Sequence, residues 1–262
     1  MWLQDRTQQV LDAARFLSRL PLPGTEHHVA DLALTLRAAP VAGVLIAAGP
    51  ALLLWVASGA GLPSLPAAAL AVTALVAVTG GLHEDGLADV ADGFGGGATV
   101  SRKLAIMRDS RIGAYGTLAI GLSLLLRVAA LQALVDRFGA GSAALALLAA
   151  AVVSRGLMLV PLAVLLPARP DGLGRAAGPN GQPILGPALV AAGVAGAVLA
   201  AGAVSDRLGL LAGGLAAGAA ALAVTRLAQH HVRGVTGDVI GAAQQAAEVA
   251  FLLALCIAAV PR

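Results

Sequence analysis

A long apolar run followed at once by a cluster of acids organises this chain: "LPAAALAVTALVAVTGGLHEDGLADVADGFGGG", residues 65–97. Residues 65–82 carry no charged side chain, and a helix needs roughly 17 to 25 apolar residues to cross a bilayer. Glu84, Asp85, Asp89 and Asp92 then follow within nine positions. The stretch predicts a membrane-spanning helix that delivers several carboxylates to one face of the membrane.

The composition extends the membrane assignment to the whole chain. The 262 residues are 58% hydrophobic and 12% charged, with a mean hydropathy of +0.87, whereas soluble domains carry about 25% charged residues. The formal net charge is only +3 and aromatic residues make up 3%, so nucleic acid is not an expected partner. We predict an all-α, polytopic transmembrane helical bundle in the lipid bilayer, with residues 1–262 forming a single domain.

Hydropathy predicts about seven spans, and the basic residues predict their orientation. The spans are 38–57, 64–82, 114–135, 141–166, 186–204, 208–228 and 240–260, joined by short turns such as 136–140 and by longer polar loops such as 83–113. Twelve of the 17 lysines and arginines fall on the side of the N-terminus and three on the other. The positive-inside rule therefore places the N-terminus and the 83–113 loop on the cytoplasmic side of the cell inner membrane.

The N-terminal segment has a different pattern. Val10, Ala13, Leu17 and Leu20 recur at helical spacing among polar residues. Residues 1–25 are therefore predicted to form an amphipathic helix at the membrane interface.

The acids of the opening stretch fall into two directions on a helix. Asp85, Asp89 and Asp92 are spaced i, i+4, i+7 and share one face, while Glu84 points about a quarter-turn away. Like charges on one face repel each other unless a cation lies among them, and carboxylate oxygens without cysteine suit Mg²⁺ or Mn²⁺. The alternative is a solvated acidic loop.

A basic segment follows directly: "SRKLAIMRDSRIGAYG", residues 101–116. Arg108 and Arg111 lie close in sequence to the acids, with Asp109 between them. A cation beside arginines is the combination that binds a polyphosphate. The alternative is that these bases only signal topology, which does not explain Asp109.

A third cluster is "HHVRGVTGDVIGAAQQAAEVA", residues 230–250. Either Thr236 or Asp238 can cap the last helix, and Asp238, Gln245 and Glu248 share one of its faces. A carboxylate as deep in a span as Glu248 needs a partner or a wet cavity, and Arg127 and Arg155 are the bases within spans. A purely structural ion pair and a functional site are both open for Glu248.

Two functional classes fit these clusters. One is a metal-dependent phosphotransferase acting on a pyrophosphate at the membrane surface, and the other is an ion-coupled transporter. A transporter would place its acids near the bilayer midplane in broken helices. Because most acids here collect at one interface beside a basic loop, the enzyme is favoured.

The three motifs together resemble those of the cobalamin synthase family, the adenosylcobinamide-GDP ribazoletransferases. The resemblance runs from about residue 13 to 252 and includes the early "FLSRLPLP". The acidic stretch also resembles the aspartate motif of CDP-alcohol phosphotransferases. It departs from that motif because residues 94–97 contain no Ala-Arg pair, so that family remains the alternative.

The resemblance implies the final assembly step of the cobalamin nucleotide loop. Adenosylcobinamide-GDP and α-ribazole, or α-ribazole 5′-phosphate, would give adenosylcobalamin, or its phosphate, and GMP, with Mg²⁺ as cofactor. A membrane assembly with other enzymes of cobalamin synthesis is a further hypothesis.

The family motifs cover these residues, and phosphoryl-transfer chemistry gives them expected roles. The expected metal ligands are Asp85, Asp89 and Asp92. The expected catalytic groups are Arg108, Arg111 and a general base, either Asp109 or Asp238. The expected substrate-binding residues are His83, Ser110, Thr236, Gln245 and Glu248.

Overall fold

The computed structural model describes residues 2–22, 32–176, 185–201 and 207–258. These residues form helices without a β-strand, apart from one isolated bridge between Pro167 and Val235. The helices are α1 (Trp2–Leu17), α2 (Leu32–Arg37), α3 (Ala39–Gly59), α4 (Ser64–Thr79), α5 (Leu82–Gly96), α6 (Val100–Ile106), α7 (Ala114–Leu157), α8 (Val160–Val164), α9 (Leu173–Ala176), α10 (Leu185–Ala201), α11 (Arg207–His231) and α12 (Gly237–Ala258). The prediction of an all-α membrane protein is confirmed.

The acidic stretch is a helix of the bundle, not an extended loop. Gly80 and Gly81 both adopt left-handed backbone angles, with φ of 67° and 72°, which glycine reaches without a steric penalty. They bend the chain by 88° between α4 and α5. The expected loop 83–113 is therefore corrected: α5 and α6 occupy most of it, because α5 packs into the bundle with His83, Glu84, Ala88 and Val90 buried.

The longest helix reverses direction at a glycine. Gly139 has φ 81° and ψ 163°, far from helical values, and divides α7 into an N-terminal arm (114–138) and a C-terminal arm (140–157). Ser123 and Ser154 would lie about 46 Å apart along a straight helix. They hydrogen-bond instead to the adjacent Gln245 and Gln244, at 2.8 and 2.9 Å. The two arms therefore run antiparallel, as predicted for spans joined by a turn at 136–140.

Four helices in the described ranges are long and apolar enough to cross a membrane: Ala39–Gly59, Ala114–Val164, Gly209–His231 and Gly237–Ile257. The bent pair α4 and α5 gives a fifth if it is one span. The sequence predicted seven spans. Two of them, 114–135 and 141–166, fall on the segment Ala114–Val164, which is counted here as one helix. The predicted span 186–204 corresponds to the shorter apolar helix Gly186–Leu199. The number of spans and the cytoplasmic N-terminus remain predictions, and residues 202–204 and 259–260 of the predicted spans lie outside the described residues.

The core surrounds α7 and α12 and is built largely from alanine, which lets helix backbones approach closely. A Cβ atom at Gly43 of α3 would lie 2.9 Å from the carbonyl oxygen of Ala151. The predicted N-terminal helix is present as α1, and it buries Ala13, Ala14 and Leu17. Its location at the membrane surface remains a prediction, and residues 1 and 23–25 of that segment lie outside the described ones.

Candidate active site

Helix α5 presents two chemically different faces. His83 and Glu84 are buried, with 2% and 5% of their surface exposed, whereas Asp85 is exposed. Gly86 allows α5 to pack closely against α12, since a Cβ atom at this position would lie 2.9 Å from the backbone oxygen of Asp238. The close contact between α5 and α12 brings Asp85 beside Asp238, although the two residues are 153 positions apart in sequence.

Asp85 and Asp238 line a cleft of about 270 Å³ at the end of the bundle where α12 begins, here called the polar end. His83 and Arg169 also face the cleft, and Phe16 and Leu17 of α1 close one side of it. Asp238 does not cap α12. Thr236 does so, since its Oγ1 accepts a hydrogen bond from the Val239 N–H at 3.3 Å and donates one to Asp238 Oδ2 at 3.1 Å.

The aspartates at the polar end repel one another. Asp89 experiences the negative charge of Asp85, Asp92 and Asp238, with Arg169 as the attracting charge. In the described part of the chain, the carboxylates of Asp85 and Asp89 have no hydrogen-bond or ion-pair partner. These two acids are therefore free to bind a ligand.

The third aspartate of the predicted set is already occupied. Asp92 Oδ2 accepts the N–H of Gly113 at 2.7 Å, and its Oδ1 accepts the N–H of Gly116 at 2.9 Å. The acid thus satisfies backbone donors at the start of α7, where a negative charge is also favoured by the helix dipole. A Cβ atom at either glycine would collide with the Asp92 carboxylate, which accounts for both glycines of "RIGAYG".

Arg169 reaches the cleft because a loop is fastened to the start of α12. The N–H of Val235 donates to Leu166 O at 2.9 Å, and the N–H of Ala168 donates to Val235 O at 3.0 Å. The Arg169 guanidinium donates to Leu104 O at 2.9 Å and lies 3.9 Å from Asp238. Partial burial lowers the pKa of Arg169, but the side chain stays protonated at any physiological pH.

The predicted basic residues lie on the exposed segment between α6 and α7. Arg108 forms an exposed ion pair with Asp171 at 2.6 Å. Arg111 donates to both carboxylate oxygens of Asp109, at 3.0 and 2.6 Å. Hydrogen bonds from Arg111 lower the pKa of Asp109 to about 2, which makes Asp109 a weak proton acceptor. Ser110 is exposed on the same segment.

Glu248 and Gln245 lie below the cleft in a buried polar network. Arg127 donates to Glu248 at 3.3 Å and to Glu84 at 2.8 Å, and Gln245 donates to Glu84 at 3.2 Å. Glu248 and Gln245 are 1% and 2% exposed. Of the two alternatives left open for Glu248, a partner or a wet cavity, the structure shows a partner, and it is Arg127.

Oxygen ligands for Mg²⁺ are present, but they do not form a complete cage. Among the described residues, no three His, Cys, Asp or Glu side chains are grouped so as to hold a metal ion. Asp85 and Asp89 nevertheless fit a hard cation, because they are unpartnered carboxylates in mutual repulsion. Mg²⁺ is commonly bound by one or two carboxylates together with substrate phosphates, so a protein site with few ligands suits it.

The structure therefore brings together His83, Asp85, Asp89, Thr236 and Asp238, and places Asp92, Gln245 and Glu248 in supporting contacts. Two residues of this region were missed by the sequence reasoning, Glu84 and Arg169. Charge balance could have indicated a role for Glu84. Two arginines, Arg127 and Arg155, lie within predicted spans, where Glu248 was the one acid expected to pair with them. Nothing local marked Arg169, because the loop bridge to Val235 joins distant segments.

The fold and the cleft define an all-α integral-membrane protein with an acidic, arginine-edged site at one end of its bundle. The family model for cobalamin-5-phosphate synthase matches residues 9–256, and the chain belongs to this family.

Curated relatives are similar in sequence to this chain over nearly their full length. The proteins named adenosylcobinamide-GDP ribazoletransferase from Azorhizobium caulinodans and Mesorhizobium japonicum are 47% and 45% identical, and the matches cover 95% and 96% of this chain and 95% of each relative. The protein of that name from Xanthobacter autotrophicus is 46% identical over 98% of both chains. No solved structure matches the chain.

Proposed function

We propose that this protein is an adenosylcobinamide-GDP ribazoletransferase. It joins adenosylcobinamide-GDP to α-ribazole, or to α-ribazole 5′-phosphate, releasing GMP and adenosylcobalamin or its phosphate as the final step of cobalamin synthesis. The family membership and the names of the relatives support the reaction. The observation that carries the site is the cleft in which the unpartnered carboxylate of Asp85 faces Asp238 and Arg169, with Asp89 close to the same groups.

Asp85 and Asp89 are the residues proposed to hold Mg²⁺, together with oxygens of the pyrophosphate. When bound, Mg²⁺ would neutralise charge on the transferring phosphoryl group and on the leaving GMP. Asp92 is left out of this proposed ligand set because both of its oxygens bind backbone N–H groups.

Arginine side chains supply the remaining charge for the pyrophosphate. Arg169 already lies at the cleft, and the exposed Arg108–Asp171 pair exchanges readily for a phosphate, since exposed ion pairs contribute only about 0 to 1 kcal/mol. Both guanidinium groups can donate two hydrogen bonds to phosphate oxygens.

Asp238 is the proposed general base. A ribose hydroxyl oxygen forms a new bond to the phosphorus that carries cobinamide, the bridging P–O bond breaks, and its oxygen leaves with GMP. The hydroxyl proton passes to Asp238. Asp109 is less suited to this role, because Arg111 holds it as a weakly basic carboxylate.

The transporter alternative loses its main support. The acids within the bundle that could carry a cation, Glu84 and Glu248, are both bonded to Arg127 and buried. The unpartnered acids lie at the polar end, where chemistry on a polar substrate is possible.

GMP release by the purified protein in liposomes tests the proposal. With adenosylcobinamide-GDP, α-ribazole and Mg²⁺, the wild-type protein should release GMP, and Asp85→Asn, Asp89→Asn and Asp238→Asn should each lower the rate by about 100-fold or more. Asp136→Asn changes an exposed aspartate at the opposite end of the N-terminal arm of α7 and should leave the rate unchanged. Near-normal turnover in these three aspartate variants would contradict the site.

A further inference from the structure

A buried ionic network connects the interior of the helix bundle with the acidic helix α5. Arg127 of the N-terminal arm of α7 is 1% exposed, and its two terminal nitrogens bind Glu84 of α5 and Glu248 of α12. Removing one partner of such a buried pair is strongly destabilising, because the other charge is left uncompensated. The network is therefore a strong constraint on how these helices pack.

Neutral side chains extend the network to the other arm of α7. Gln244 donates to Glu248 Oε2 at 2.7 Å and to Ser154 Oγ at 2.9 Å. Gln245 donates to Glu84 Oε1 at 3.2 Å and accepts from Ser123 at 2.8 Å. Glu84 thus receives hydrogen bonds from both α7 and α12, which fixes its direction.

The position of Glu84 links this network to the cleft. Glu84 directly precedes Asp85, and Asp85 and Asp89 share one face of α5 since they are four residues apart. The glycine contact at Gly86 sets how closely α5 approaches α12, but glycine has no side chain that resists rotation. The bonds of Glu84 resist rotation, and any rotation of α5 about its axis would turn Asp85 and Asp89 together.

We propose that Glu84 and Arg127 are positioning residues, which hold the rotation of α5 so that Asp85 at the cleft and Asp89 one helical turn away together bind a divalent cation. The inference rests on the proposed function for the role of these aspartates. It adds to that function a role for Glu84 and Arg127, which lie away from the reacting atoms. They keep the mutually repelling carboxylates of Asp85 and Asp89 in place before substrate binds.

Binding of Mn²⁺ measured by electron paramagnetic resonance tests the proposal without turnover. Mn²⁺ accepts the same oxygen ligands as Mg²⁺ and is visible to the method. Glu84→Ala removes the bonds to α7 and α12, and we expect Mn²⁺ affinity to fall by about 10- to 100-fold, the range for groups that orient metal ligands. Glu84→Gln keeps an oxygen that accepts from Arg127, so its affinity should stay within about 3-fold of wild type.

Ser154→Ala provides the matched control. It removes a buried hydrogen bond of the same network, to Gln244, but leaves the contacts of α5 intact. Its melting temperature should fall while its Mn²⁺ affinity stays that of the wild type. Thermal unfolding of all the variants in the same detergent separates loss of stability from loss of positioning.

Two outcomes would overturn the proposal. One is wild-type Mn²⁺ affinity in Glu84→Ala, and the other is a wild-type protein that binds no Mn²⁺, because the network would then have no ligand pair to hold. A different result would contradict the proposed reaction alone. In that case Mn²⁺ affinity would differ among wild type, Glu84→Gln and Glu84→Ala as expected, but the wild-type protein would release no GMP. If Glu84→Ala does not fold, Arg127→Lys takes its place. Weaker Mn²⁺ binding in Arg127→Lys than in Ser154→Ala supports the proposal, and equal Mn²⁺ binding in the two variants overturns it.

Discussion

The five acids of α5 and the start of α12 have different surroundings, and these separate their roles. Glu84 is buried against Arg127, and Asp92 binds the backbone at the start of α7. Asp85 and Asp89 lack partners within the described residues, and Asp238 lies 3.9 Å from Arg169. The same carboxylate group therefore serves packing, caps a helix or is left available for a ligand, according to what it touches.

The choice of general base can be tested at the residue scale. Asp109→Asn should keep GMP release within about 3-fold of wild type, whereas Asp238→Asn should lower it by about 100-fold or more. Because the pKa of Asp109 is depressed to about 2 from 3.8, this carboxylate is ionised throughout pH 5 to 9 and gains no proton until the pH falls far below that range. Rates measured across that range should show the same acid limb in Asp109→Asn as in the wild type. If Asp109→Asn lost most of its rate of GMP release while Asp238→Asn kept the wild-type rate, Asp109 would be the general base instead.

The capping role of Asp92 makes a separate prediction. Asp92→Ala removes two charge-assisted hydrogen bonds, each worth about 1.5 to 3 kcal/mol, so its melting temperature should fall clearly. Asp85→Ala removes an unpartnered charge and should leave the melting temperature unchanged or slightly raised in the absence of a divalent cation. Thermal unfolding followed by circular dichroism measures both. Equal destabilisation of the two variants would argue against the cap.

At the scale of helices, glycines decide which elements touch. Gly80 and Gly81 bend the chain into α5, Gly86 allows α5 to lie against α12, and Gly139 reverses α7. The spacing of Gly237 and Gly241 on α12 is the small-xxx-small pattern that permits close helix packing in membranes. The cleft exists because these contacts bring α5, α12 and the loop bearing Arg169 to one end.

Substitution at the helix contact should disturb both stability and the site. A methyl group at Gly86 meets the backbone of Asp238, so Gly86→Ala should cost about 1 to 3 kcal/mol of stability and lower GMP release. Gly121→Ala is the matched control, since nothing lies within 4 Å of its Cβ position on α7. Unfolding curves and initial rates of the two variants measure the effect. A Gly86→Ala protein as stable and active as Gly121→Ala would contradict the close contact.

At the scale of the molecule, polar groups are sorted along the bundle. The acidic cleft and the basic segment lie where α7 and α12 begin, and the buried pairs of Arg127 with Glu84 and Glu248 lie within the bundle. Arg137 lies near the other end, where it donates to Cys256 O at 2.6 Å. The N-terminal arm of α7 rises about 38 Å, enough to cover a hydrocarbon core of about 30 Å.

Labelling from the two sides of the membrane tests this polarity. In a Cys256→Ser background, Ser110→Cys should react with an impermeant maleimide from the cytoplasmic side only, and Gly141→Cys from the opposite side only. The direction follows from the excess of basic residues on the side of the N-terminus, which predicts that this side is cytoplasmic. Both positions are exposed, so access is not limited by packing. Labelling of Ser110→Cys from outside would separate the cleft from cytoplasmic GDP-linked substrate.

The sequence by itself determined the helical membrane class, the reversal near residue 139, the family motifs and the helical face shared by Asp85 and Asp89. The helical class, the reversal and the shared face follow from local composition and periodicity, whereas the motifs were identified by their resemblance to a known family. Only the tertiary structure decided that Glu84 is buried against Arg127, that Asp92 caps α7, and that Arg169 faces Asp238. Each of these depends on segments distant in sequence that meet through glycine contacts and a loop bridge, and side-chain spacing along one helix contains no information about the partner helix.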